Sequence, residues 1–69
     1  MAVATTSIPE LSVVEFTHDL DGHPRGAIGV VVSAYPKDDV YTVELVDAAG
    51  RTTDLVPARG EDLRVTHIV

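Results

Sequence analysis

The stretch Arg25–Asp47, RGAIGVVVSAYPKDDVYTVELVD, constrains this chain most, because two apolar, β-branched runs flanking a turn form the pattern of an antiparallel β-hairpin. Val30, Val31 and Val32 carry the first run, and Val40, Tyr41, Val43, Leu45 and Val46 the second. Between them, Tyr35-Pro36-Lys37-Asp38-Asp39 supplies the residues that turn a chain. The hairpin sets a fold class; no run of similar clarity sets a chemistry.

The remainder of the chain adds further strands. Leu11–His18 is apolar on both faces, with Leu11 and Val13 on one side and Val14 and Phe16 on the other, and a bulge near Val13-Val14 reconciles the two patterns. Asp19–Gly26 is a loop of turn-forming residues. Gly26–Ala34 reads as the second strand, and Gly29 in its interior signals a strong bend or a close backbone approach. Val40–Asp47 is the third. After Ala48-Ala49-Gly50, Arg51–Val56 returns as the fourth, with Thr53 and Leu55 on one face and Thr52 and Asp54 on the other. Pro57–Glu61 is too short and too broken for an α-helix and reads as one 3₁₀ turn; Leu63–Val69 closes as the fifth strand.

Residues 1–8 lack any period and precede Pro9, so they read as a flexible tail before a single domain spanning 9–69. The expected fold is all-β: a small five-stranded SH3-like barrel with a short 3₁₀ turn before the last strand. That last strand is expected antiparallel beside the first, where Val65, Ile68 and Val69 would cover Leu11–Phe16.

Composition narrows the function. A chain of 69 residues stands near the lower size limit of a domain, with little core to spare for an enclosed cavity. Cysteine is absent, so disulfides and thiolate-bound metal are ruled out, which favours a cytoplasmic setting. Neither a signal peptide nor a membrane span is expected from the apolar pattern. Eleven acidic residues against five basic ones leave a net charge of −6, which repels phosphate backbones. Arg25, Arg51, Arg59 and Arg64 are too dispersed for a basic stripe, so nucleic acid is not an expected partner.

The run from Ile8 to Val65 resembles a small bacterial family, domain of unknown function 4926. The resemblance rests on Leu11-Ser12-Val13-Val14, Arg25-Gly26-Ala27-Ile28-Gly29-Val30-Val31, Tyr41-Thr42-Val43-Glu44-Leu45-Val46-Asp47 with Gly50-Arg51-Thr52, and Asp62-Leu63-Arg64-Val65. Val30 stands where the family usually has Thr, and Leu45 where it usually has Phe. The resemblance implies an SH3-like barrel, similar to the small barrel of nitrile hydratase β-subunits. It implies no catalytic residues and no cofactor, and a fold alone does not confer a function.

Among local constellations, His18, Asp19, Asp21 and His23 gather two imidazoles and two carboxylates within six residues, types that bind Zn²⁺ or Ni²⁺. Solvated Asp/His/Gly loops also occur without ligands, and Asp19-x-Asp21-Gly22 lacks the distal glutamate of a calcium loop. His67 is expected opposite the start of the first strand, far from His18. Ser7, Ser12 and Ser33 lie in no nucleophile elbow. A proline-rich-peptide groove would have to draw on Phe16, Tyr35 and Tyr41, of which Phe16 reads as core.

These readings converge on a non-catalytic protein-binding module, an accessory or small subunit of a larger bacterial assembly. In an immunity or antitoxin-like form, Asp38, Asp39, Asp47, Glu61 and Asp62 would meet a basic surface. The bland alternative is that these acids serve only solubility. Two competing readings are a metal-linked or enzyme-associated barrel using the His18–His23 loop, and a self-associating structural unit whose strand edges pair.

Overall fold

A computed structural model describes residues 7–68. It contains β1 (Val13–Phe16), β2 (Ile28–Tyr35), β3 (Val40–Val46), β4 (Thr52–Arg59) and β5 (Leu63–His67), with a single 3₁₀ turn at Gly60–Asp62. All five strands are antiparallel members of one sheet, ordered β4-β3-β2-β1-β5. The all-β class, the strand count and the β1–β5 pairing agree with the sequence reading. Closure does not: among the described residues β4 and β5 are the two edges, no ladder joins them, and the sheet stays open.

Strict alternation along β3 buries Tyr41, Val43 and Leu45. Val14, Phe16, Val31, Val56, Ala58 and Leu63 complete a single apolar cluster drawn from every strand. In a flat sheet, with neighbours about 4.8 Å apart, β1 and β4 would stand roughly 14 Å from each other and leave this face wet. Instead Phe16 on β1 and Val56 on β4 are both almost fully buried, so the sheet curls over its own apolar face.

Local irregularities permit the curl. Register shifts fall between Val13 and Val14 on the β5 side of β1, between Val31 and Ser33 on β2, and between Leu45 and Val46 on β3; each adds twist and bend. The first is the bulge that the two-faced pattern of the first strand calls for. Just before it, Leu11 takes a left-handed conformation (φ 72°), its N–H donating to the Val31 carbonyl at 2.6 Å while the Val31 N–H donates to Ser12 at 3.0 Å. Gly29 marks the expected close approach. A Cβ there would sit 2.6 Å from Val43 Cγ1 and 2.7 Å from the Glu44 carbonyl oxygen.

Several boundaries differ from the sequence reading. β4 continues through Pro57 to Arg59, and the 3₁₀ turn begins only at Gly60. Proline is tolerated because β4 is an edge strand, where a missing N–H on the outer side breaks no ladder. Ile8, assigned to the tail, is half-buried against the core, and its N–H donates to the Tyr41 hydroxyl at 3.2 Å. Ile68 is 60% exposed and does not cover β1, whereas Val65 packs against the core. Residues 1–6 of the tail and Val69 lie outside the described residues.

Two stability outcomes follow. Gly29→Ala forces atoms into the β3 backbone, and overpacking of this kind costs about 1–3 kcal/mol; urea denaturation should show that loss, and a loss under about 0.5 kcal/mol would contradict the close approach. Ser12 is fully buried, and its hydroxyl finds no hydrogen-bond partner among the described residues. Removing an orphaned buried polar group relieves a desolvation cost of about 1–3 kcal/mol, so Ser12→Ala should raise the urea midpoint, and a clear drop would show that the hydroxyl has a partner.

Candidate functional site

The β1–β2 loop holds the first set of candidates. Leu20 and His23 exchange both backbone hydrogen bonds at 2.8 Å, and Asp21 (φ 53°) and Gly22 (φ 83°) make the turn between them, the Asp-Gly pairing that such two-residue turns favour. This small hairpin sends the two imidazoles apart. His18 Nε2–H donates to Asp62 Oδ1 at 2.6 Å and its Nδ1–H to the Asp19 carbonyl at 2.9 Å. His23 Nε2–H donates to Asp54 Oδ2 at 2.9 Å, with its ring edge-on to Phe16 at 6.4 Å. Asp19 turns inward to its own loop, where Oδ1 accepts the Arg25 N–H at 2.9 Å.

His18, Asp19, Asp21 and His23 therefore do not converge. Each imidazole is committed to a different carboxylate on a different element, and no three metal-ligating side chains meet among the described residues. Both His18 nitrogens face acceptors, an arrangement that only the imidazolium satisfies and that denies a metal the lone pair it needs. The hydrogen bond to Asp62 raises the His18 pKa, and the Asp19 carbonyl adds to it. For Asp62, burial pulls upward, but the Arg59 N–H and the His18 ring outweigh it and leave the carboxyl below its usual range. Asp54 is lowered by His23 and then by the Leu55 N–H. His67 pairs with Val13, away from the loop, as expected.

The five acids proposed for partner contact divide in two. Asp38 and Asp39 precede β3, and Asp47 follows it, so a strand's length separates Asp47 from the others. Asp47 serves its own turn: Oδ1 accepts the Ala49 and Arg51 N–H groups, each at 2.9 Å, and Oδ2 lies 3.5 Å from the Arg51 side chain. At the other end, Asp39 Oδ1 accepts the Gly60 N–H at 3.3 Å and so brings the β2–β3 turn against Gly60–Asp62. Asp62 caps that turn by accepting the Arg59 N–H at 2.8 Å, which with His18 occupies both its oxygens. Asp38 and Glu61 hold none of these side-chain contacts and stand exposed at the same end.

Beside them lies an open groove of about 460 Å³. Ile8, Tyr41, Leu63 and Val65 supply apolar walls, and Asp39 and Glu61 stand at its polar rim. The Domain of unknown function (DUF4926) model matches residues 10–65. The chain belongs to that family. The match takes in both His–Asp pairs, Asp39, Tyr41 and Glu61, and leaves Ile8, His67 and Ile68 beyond its ends. No curated protein and no solved structure matches the chain. Of the two positions at which the family pattern differs, Leu45 is buried opposite Gly29, and Val30 faces away from the core opposite Glu44.

Sequence reasoning missed the partners of the imidazoles, Asp62 and Asp54, which stand 44 and 31 residues away, and it missed the groove. Only the register of β1 against β5 could have placed His18 near Asp62.

The His18–Asp62 pair carries a pH dependence with a definite sign. A folded-state pKa raised above 6.5 contributes stability that is complete below that value and is lost as pH rises through the higher one. The lowered Asp62 and Asp54 contribute stability above 3.8 that is lost as pH falls through their folded values. Urea midpoints taken between about pH 6 and about pH 8 should fall in the wild type and stay flatter in His18→Gln. Parallel profiles would mean that the pair does not form.

Proposed function

We propose that this chain is a non-catalytic protein-binding module of SH3-like architecture, serving as a cytoplasmic accessory or small subunit in a bacterial assembly. Three features of the fold support the architectural part: β1 lies between β2 and β5, a long loop follows β1, and a 3₁₀ turn joins β4 to β5. The functional part rests on one observation. Asp38, Asp39 and Glu61 gather at one end of the sheet beside an apolar groove, with Asp38 and Glu61 uncommitted to capping or pairing. Exposed acids that steady no turn are suited to meeting a basic surface, where complementary charge speeds and orients association.

An immunity or antitoxin-like role is one specific form of this reading, with the basic partner a toxin. Asp47 and Asp62 are withdrawn from the contact set because both oxygens of each are engaged, by backbone N–H groups and by Arg51 or His18. The metal-linked reading loses its motivation once both imidazoles are engaged by carboxylates.

The test is affinity capture by the tagged chain from lysate of its own source organism. One stoichiometric protein partner should co-purify at low salt and be released above about 0.3 M salt, as screened charge pairs require. Asp38→Lys combined with Glu61→Lys should lose that partner while keeping a folded circular-dichroism spectrum. A chain that comes down alone, or a partner indifferent to salt and to both substitutions, would overturn the proposal.

A further inference from the structure

The two edges of the sheet are not equivalent. β4 carries Pro57 within its length, and a proline cannot donate to an added strand, a common protection against edge pairing. β5 has no proline and, among the described residues, is paired on one side only, with β1. The groove walled by Ile8, Tyr41, Leu63 and Val65 runs onto this edge, and a second hollow of about 350 Å³ along Val65–Ile68 continues it. Val65 and Ile68 belong to both hollows, so the edge of β5 left unpaired among the described residues is flanked by two recesses, the first walled by aliphatic side chains and the second shared with Thr66 and His67.

We infer, building on the protein-binding reading, that β5 accepts an extended segment of the partner as a sixth strand. That segment alternates aliphatic residues with Lys or Arg. Main-chain hydrogen bonds to a sheet edge supply affinity in this mode, and alternate side chains entering recesses supply specificity. Aliphatic side chains enter against Tyr41, Leu63 and Val65, and a cation meets Asp39 and Glu61 at the rim.

Charge decides between a foreign segment and a second copy of the chain. A second copy brings its own net −6 to a rim that is already acidic, whereas a basic segment gains from the same field. The nearest cation on β5, Arg64, does not oppose this, because it is ion-paired to Glu15 of β1. Extended phosphate chains are excluded from the groove by the same rim.

The probe is a fluorescein-labelled peptide of alternating valine and lysine, with its valine-glutamate counterpart as control, titrated with the full chain and read by anisotropy. The lysine peptide should bind at least about tenfold more tightly than the glutamate peptide. Glu61→Lys and Ile68→Lys alter exposed side chains and should each weaken it about tenfold. Bound peptide should slow amide exchange along Val65–His67 and leave β4 unchanged.

Equal binding of the two peptides, or protection on β4, would overturn the inference. So would concentration-dependent dimerisation of the chain with no peptide binding. A partner captured from lysate equally well by Ile68→Lys would remove this edge from the interface yet leave the binding-module reading standing; failure to capture any partner would remove that reading itself.

Discussion

Among the described residues the sheet has neither an α-helix nor a second sheet against it, so it can bury its apolar face only by curling over itself. Everything else in this molecule follows from that requirement. Nine buried apolar side chains among the described residues, drawn from five strands, share one cluster, and none would be dry on a flat sheet. The curl depends on places where the backbone is allowed to depart from regular pairing: the bulge at Val13-Val14, the shifts at Val31/Ser33 and Leu45/Val46, and the bare backbone of Gly29 pressed on β3.

The open sheet is then held by its loops. Thr17 donates its hydroxyl to the Glu61 carbonyl and its N–H to the Asp62 carbonyl, His18 pairs with Asp62, and His23 reaches Asp54 on β4. The β1–β2 loop thus straps the 3₁₀ turn and the far edge strand, two elements to which β1 makes no ladder. Surface ion pairs of this kind contribute little singly, typically under about 1 kcal/mol. Their effect here is positional. By setting the 3₁₀ turn against the loop on one side and against Asp39 on the other, they fix where Glu61 stands and how the groove beside β5 is walled.

Much of the fold was legible in the sequence, and the failures have physical causes. The conflict between Leu11/Val13 and Val14/Phe16 called for a bulge, and Gly29 amid valines called for a close approach; both are local rules with one structural solution. Pro57 misled because proline reads as a terminator unless the strand is known to be an edge, which is a property of the sheet and not of the segment. Ile8 misled because one apolar residue has no period, although its burial depends on Tyr41, far along the chain. The His18–His23 loop, carried as an alternative metal reading, shows the same limit of local reading. Four suitable side chains lie close in sequence, but the Asp21-Gly22 turn and two distant carboxylates pull the imidazoles to separate elements, and nothing near His18 or His23 foretells Asp62 or Asp54. The acids proposed for binding were a charge argument without geometry; strand order alone would have parted Asp47 from Asp38 and Asp39, since β3 lies between them.

The central claim is that the β1–β2 loop is pinned across an open, curled sheet. Residue-resolved amide hydrogen exchange on the full chain tests it most directly. The account predicts slowed exchange at Thr17, Leu20, His23 and Gly26, whose N–H groups donate to Asp62, His23, Leu20 and Phe16 carbonyls. Exchange at those four amides at the rate of an unstructured chain, with β2 and β3 still protected, would contradict it.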